Sequence, residues 1–288
     1  MKIHRPVGVS VPDATMLDDL ARAGVACVEV SLPGPRYLDF SPAAFARRAR
    51  DAGLAVRSFH LPFYLAPEDG PVDPAALDPA VRRKTAEIHA RCLEQAAETG
   101  ARIAVVHACL EPVEDADRAA RLDASRESMA ALAARGAELG IVVCVENLPR
   151  SCLGNTAAEL LSIVAADSRL RVCFDTNHLL LESHAAFLEA AGLLVATLHV
   201  SDYDFVNERH WLPGEGKIDW QTLMDGLDAI GYRDAFTYEV SFKGNPKTVL
   251  RDRPLSGADF ALNAAELEAR RALTVHGSGG IPDLPFWP

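Results

Sequence analysis

The chain has no C-x-x-C pair, no apolar run of membrane-spanning length and a shortage of basic residues, and each absence removes a class of protein. Its cysteines, Cys27, Cys92, Cys109, Cys144, Cys152 and Cys173, are scattered, several of them inside apolar runs such as VVCVE and RVCFD. Such thiols read as buried side chains in a reducing compartment. The longest apolar stretch, around 190–200, is interrupted and falls far short of a bilayer span, and the opening MKIHRPVGVSVPDAT has no apolar signal core. A cytoplasmic location with no membrane association is therefore expected. With 29 Lys+Arg against 40 Asp+Glu the net charge is −11, which repels polyanions and gives no pull towards anionic membranes. Nucleic acid is thus a disfavoured partner. The first strand-to-helix turn, VSVPDAT, also lacks a glycine-rich phosphate fingerprint, which weighs against a doubly wound dinucleotide-binding sheet.

What is present is apolar material enough for a large core, with 49% of 288 residues hydrophobic and 24% charged. Runs of β type recur at 3–9, 27–31, 55–60, 103–107, 141–146, 171–175, 195–200 and 236–240. Between them lie helical patterns: Val81, Ile88, Cys92 and Ala96 are spaced near multiples of four, and 119–137 is rich in alanine. Gly24, Gly53, Gly100, Gly140 and Gly231 each stand just before a strand, where a helix C-terminus favours a left-handed residue. Alternating strands and helices with apolar strands predict parallel strands covered by helices, and eight such units close into an α/β fold, a single-domain (β/α)8 TIM barrel over 1–275. No linker divides the chain. An amphipathic run at 257–274 is expected to pack on the barrel. A Gly/Pro-rich C-terminal tail, 276–288, follows, and its Phe286 and Trp287 either dock on a subunit or stay loose.

In a barrel of this type the chemistry gathers at the C-terminal ends of the strands. The predicted strands place His60, His107, Glu146, Asp175, His199 and Glu239 there. With 9 His and 40 Asp+Glu in 288 residues, chance alone would rarely put a possible metal ligand at each of these ends. An isolated strand-end carboxylate often just caps a helix or meets an arginine. Together, however, Glu146, Asp175, His199 and Glu239 supply three carboxylates and one imidazole, an oxygen-rich set suited to a divalent metal ion such as Mn²⁺, Zn²⁺, Co²⁺ or Mg²⁺. A second layer, His178, Glu208, Arg209 and His210, follows at short spacing and can serve further metals or the substrate. His4, His89, His184 and His276 have no such placement and read as incidental.

The segments HLPF at His60, VEN at Glu146, DTNH at Asp175 to His178, HVSD at His199 and HWLPGEGKIDW from His210 to Trp220, with the strand ends at His107 and Glu239, resemble the xylose-isomerase-like TIM-barrel superfamily. That superfamily holds sugar isomerases and epimerases, including sequences described as sugar phosphate isomerases/epimerases, and also apurinic-site endonucleases. The resemblance covers most of the chain. It implies one divalent metal on Glu146, Asp175, His199 and Glu239, with Glu146 and Glu239 as an acid/base pair that abstracts and returns a proton next to a carbonyl through a metal-stabilised enediolate. It further implies that His60, His107, His178, Arg209 and His210 contact a small sugar or polyol; the superfamily varies its oligomeric state on one scaffold, and a homo-oligomer, dimer or tetramer, is compatible with it.

Departures from the superfamily are also informative. Sugar isomerases that shift a hydride use a strand lysine, whereas no lysine falls within predicted strands 2 to 8, which favours proton transfer. The arginine that ketose 3-epimerases carry about six residues after the strand-7 histidine is Phe205 here, with Arg209 as a substitute. Glu215, between Gly214 and Gly216, would repel a phosphate where barrels often bind one, which favours an unphosphorylated substrate, with Lys243 and Gly244 as the obvious compensation. A sugar or inosose dehydratase shares the first proton abstraction and is the main alternative. The endonuclease reading would place zinc on additional ligands His60, His107, His178, Glu208 and His210, with Glu208 standing where those nucleases carry aspartate. Against it stands the absence of a basic cluster in the strand-to-helix loops.

Overall fold

The computed structural model describes residues 4–243, 250–251 and 253–278. Eight parallel strands, β1 (Val7–Val11), β2 (Cys27–Val30), β3 (Ala55–His60), β4 (Ile103–Val106), β5 (Val142–Glu146), β6 (Arg171–Asp175), β7 (Val195–His199) and β8 (Phe236–Tyr238), lie in the order β7-β6-β5-β4-β3-β2-β1-β8. The two ends of that sheet meet where Val200 bridges Tyr238 in parallel. There the Val200 N–H donates to the Thr237 carbonyl (2.8 Å) and the Glu239 N–H to the Val200 carbonyl (3.2 Å), closing a (β/α)8 TIM barrel. Parallel neighbours need a crossover between them, which is why a helix follows nearly every strand. The first strand lies later than the 3–9 expected from sequence: Pro6 has no N–H to give a ladder, so pairing begins at Val7 and runs on to Val11.

The helices are α1 (Leu17–Arg22), α2 (Arg36–Asp39), α3 (Pro42–Asp51), α4 (Pro79–Thr99), α5 (Arg118–Glu138), α6 (Ala157–Val164), α7 (His184–Ala191), α8 (Trp220–Ala229) and α9 (Gly257–Glu268). Local chemistry sets their ends. The Asp78 side chain accepts from the Ala80 N–H, Pro79 opens α4, and Gly100 closes it at φ 87. Gly24, Gly53, Gly140 and Gly231 hold the same left-handed conformation before their strands. The stripe that α4 buries is Thr85, His89, Cys92, Leu93 and Ala96, so Val81 and Ile88 are half-buried at its margin. His89, which has no role in the sequence pattern, thereby becomes a core residue. Ser256 and Asp259 form a capping box on α9, which lies against α1, α8 and β1 as the amphipathic run implied.

The main core fills the layer between barrel and helices, while Ile103, Val105, Cys144 and Cys173 form a small separate cluster. Because strand residues alternate in direction, Cys144 and Cys173 share a face with Glu146 and Asp175 two positions on. A short apolar plug therefore supports a charged layer at the C-terminal ends. All six cysteines are free and buried. No helix among the described residues is long and apolar enough to cross a membrane. Of the expected tail, Gly277–Ser278 pairs antiparallel with Leu250–Arg251, while Phe286 and Trp287 lie outside the described residues.

Candidate metal centre

Four strand ends converge. One ligand atom each from Glu146, Asp175, His199 and Glu239 lies within 4.8 Å of the others. His199 Nδ1 is the hub, 3.0 Å from Glu146 Oε1, 3.3 Å from Glu239 Oε2 and 3.9 Å from Asp175 Oδ2. Glu146, Asp175 and His199 are fully buried, whereas the Glu239 side chain is 22% exposed and turns one edge to the cavity above. Asp175 Oδ1 accepts the Asn177 N–H (2.6 Å), but its buried Oδ2 accepts no hydrogen bond. A buried carboxylate oxygen without a donor is costly, and a cation placed among these atoms would satisfy it. The donor set, three carboxylates and an imidazole, fits a divalent ion of the Mn²⁺, Mg²⁺, Co²⁺ or Zn²⁺ kind.

The charges are mutually dependent. Burial raises the Asp175 carboxyl, His178 opposes that, and repulsion from Glu146 and Glu239 adds to it. Burial would raise Glu146 too, but His199, His107 and His60 around it hold it well below the usual carboxylate range. Burial pulls the His199 imidazole down, yet Cys173, Glu29, Glu239 and Glu146 together lift it well above its ordinary value. Three acidic groups in one buried layer are tolerable only with compensating cations, here imidazolium or metal.

His60 and His107 both reach Glu146 Oε2 through Nε2, each at 3.2 Å, from the ends of β3 and β4. His60 is fixed from behind by the Leu61 carbonyl (2.8 Å from Nδ1), and His107 stacks on Phe63 at 4.3 Å. A second group, His178, Glu208 and His210, also brings ligand atoms within 4.8 Å of one another. His178 Nε2 lies 3.2 Å from Glu208 Oε2, and His210 Nδ1 lies 3.1 Å from the Glu239 carbonyl. Glu208 is simultaneously paired with Arg150, 2.9 Å away, so its charge already has a fixed counter-ion.

Arg209 is turned towards its own loop. Its guanidinium is held by Asp204 (2.7 Å) and lies over Trp211, and it does not line the cavity. Phe205, at the place of the ketose-3-epimerase arginine, packs on Tyr203 and His184 instead. The arginine at the rim is Arg150, from the loop after β5, bound to Glu111 (2.6 Å) as well as Glu208. In the sequence it is one of several scattered loop arginines, with no periodicity to mark it. The cavity holds about 350 Å³ and is lined by His60, Phe63, Tyr64, His107, Glu111, Glu146, Arg150, His178, Glu208, His210 and Glu239, among others. A larger hollow of about 500 Å³ lies outside the barrel between α4 and α5, away from the strand ends.

The short motifs turn out to be joints between loops. Asn147 of VEN bonds both the N–H (2.8 Å) and the carbonyl (2.9 Å) of Asp175, tying β5 to β6. Asn177 of DTNH accepts the Arg209 N–H (2.8 Å), tying the β6 loop to the loop after β7. Asp202 of HVSD accepts from the Gly214 and Ile218 N–H groups (2.8 and 3.1 Å) and from the Trp220 indole (2.8 Å). A side chain at Gly216 would collide with that carboxylate, and Gly214 sits at φ 97. These glycines serve the Asp202 turn, and Glu215 is neutralised by buried Arg251.

Residues 17–255 match the family described as xylose isomerase-like TIM barrel, and the chain belongs to that family. An uncharacterised protein of Methanocaldococcus jannaschii is 26% identical over 220 residues, 73% of each chain. A ketose 3-epimerase of Arthrobacter globiformis is 27% identical over 174 residues, 58% of this chain and 59% of that protein. Among solved structures, a D-tagatose 3-epimerase-like protein superposes with a TM-score of 0.73 at 21% identity, covering 92% of this chain and 96% of that one. The D-allulose 3-epimerase from Methylomonas sp. in complex with D-allulose gives 0.72 at 20% identity, covering 94% and 99%. At such identities the structural likeness establishes the barrel alone.

Proposed function

We propose that the protein is a divalent-metal-dependent sugar isomerase or epimerase that moves a proton on the carbon next to a carbonyl. The observation that carries this reading is the convergence of Glu146, Asp175, His199 and Glu239 within 4.8 Å, with Glu146 and Glu239 entering one cavity from β5 and β8. These strands stand three places apart round the barrel, so their carboxylates approach a substrate carbon from different sides. One removes the proton and the other returns it. A divalent ion on the four residues would supply Lewis-acid stabilisation of the negative charge that develops on the substrate oxygen. His60 and His107 hold Glu146 in place, while His178, His210 and Arg150 present polar groups to substrate hydroxyls. The similarity to a ketose 3-epimerase supports a ketose as the substrate class.

An unphosphorylated substrate follows from the loop after β7. The Gly214 and Ile218 amides, of the kind that cradle a phosphate in other barrels, already donate to Asp202. Glu111, Glu146, Glu208 and Glu239 line the cavity with Arg150 as the one arginine among its described lining residues, a balance that repels anions and accepts hydroxyl donors. The same balance disfavours damaged DNA, although the His178–Glu208–His210 group is what a multinuclear zinc nuclease would use.

Elemental analysis of protein purified without chelator or histidine tag tests the reading. About one Mn, Co, Mg or Zn per chain, with turnover of a ketose, is the expected result. About three zinc ions per chain, with cleavage of abasic DNA, would replace it with the nuclease. Loss of water from the sugar would make the enzyme a dehydratase.

A further inference from the structure

Glu29 lies in the middle of β2, in the run CVEV, and is fully buried. Its Oε2 accepts the Ser58 hydroxyl at 2.7 Å, and its Oε1 stands 3.0 Å from Nε2 of His199. Among the described residues no arginine or lysine lies within ion-pair reach of it, and it does not line the cavity. The inner cluster beside it is apolar, Ile103, Val105, Cys144 and Cys173. A carboxylate placed there is destabilised by desolvation unless a specific partner compensates it. The imidazole of His199 is that partner.

His199 has two ring nitrogens with different neighbours. Nδ1 faces Glu146, Glu239 and Asp175, while Nε2 faces Glu29. A neutral imidazole carries one proton, and only the bare nitrogen can bind a metal. We propose that Glu29 is the positioning residue for His199: it receives the Nε2–H, fixes the ring's rotation and leaves the Nδ1 lone pair aimed at the other three ligands. In the present geometry the Nε2 and Oε1 atoms are close but out of hydrogen-bond alignment, so the pairing requires a small rotation of the ring or the carboxylate. Such an outer partner sets ligand tautomer and basicity, and its loss typically weakens metal binding about 10–100-fold. The inference rests on the metal-centre reading and adds to it a residue that touches neither metal nor substrate.

The experiment uses the full chain, its Glu29→Gln and Glu29→Leu variants, and Zn²⁺ and Co²⁺ as probes. In the zinc-loaded wild type, nitrogen-15 NMR of the histidines is expected to place the His199 proton on Nε2, slow to exchange, with Nδ1 as the ligand. Co²⁺ titration is expected to show a loss of about 10–100-fold in affinity for Glu29→Leu, and a smaller loss for Glu29→Gln, whose amide oxygen still accepts the Nε2–H. Wild-type affinity in both variants, or ligation through Nε2, would overturn the inference while leaving the metal centre standing. A wild type that takes up neither ion would overturn the metal-centre reading and this inference with it. If Glu29→Leu does not fold, the Gln variant and the wild-type spectrum decide.

Discussion

Asp202 and Gly214 are joined by a 2.8 Å hydrogen bond in which the glycine N–H donates to the aspartate Oδ2. The same carboxylate holds Ile218 and Trp220, so one side chain shapes the loop that carries Glu208 and His210. Replacing it with asparagine removes a charged acceptor from several buried donors and should cost about 3 kcal/mol or more in urea unfolding. A phosphorylated ketose should show a lower kcat/KM than its unphosphorylated parent in the wild type, because the amides that would greet the phosphate are spoken for. A clear preference for the phosphorylated sugar would contradict that assignment.

Glu239→Gln keeps the size of the side chain and removes its charge. It should fold, bind the metal more weakly and lose about 10²–10⁴-fold in kcat. His107→Ala should cost less than Glu146→Ala, since His107 only supports Glu146 at 3.2 Å, and metal content should stay near the wild-type level. Equal collapse of both, with several metal equivalents lost, would favour a multinuclear centre.

The two arginines separate by kinetics. Arg150→Leu, at the cavity rim, should raise KM and leave metal content unchanged, whereas Arg209→Leu, turned to Asp204 and Trp211, should alter KM little. The reverse order would return substrate contact to Arg209.

His89, which does not line the cavity, gives a pH signature of its own. Burial pushes its imidazole down to about 4, against the ordinary 6.5, while its Nε2 lies 3.0 Å from the Pro62 carbonyl. Above pH 6.5 both folded and unfolded chains hold it neutral and the stability is intact. As pH falls below 6.5 the unfolded chain takes up the proton first, so stability declines until the folded form also protonates near pH 4. The window is worth about 3 kcal/mol, and His89→Gln, which can still donate to Pro62, should narrow it. Urea midpoints at neutral and acid pH, compared between the two proteins, read the difference.

The barrel was legible because its signals are local: β-type runs at regular intervals and left-handed glycines such as Gly100. The strand-end residues were legible because alternation in a parallel strand aims every second residue inward, which brings Glu146, Asp175 and His199 to one layer. Glu29 was passed over since it sits two places short of the expected strand end at Ser31, where a carboxylate resembles any polar interruption. Its meaning appears once the closed barrel sets β2 and β7 three places apart around one lumen and His199 lies 3.0 Å away. The partners of Arg150 and Asp202 were likewise hidden, because loop side chains acquire partners through tertiary contact alone.

The most direct test of the proposed proton transfer is turnover of a ketose in D₂O by the metal-loaded enzyme, followed by NMR of recovered substrate and product. The account predicts deuterium at the carbon beside the carbonyl, in the epimer or isomer formed, and its absence with Glu239→Gln. Product formed without any solvent deuterium would point to a hydride shift and contradict the roles given to Glu146 and Glu239.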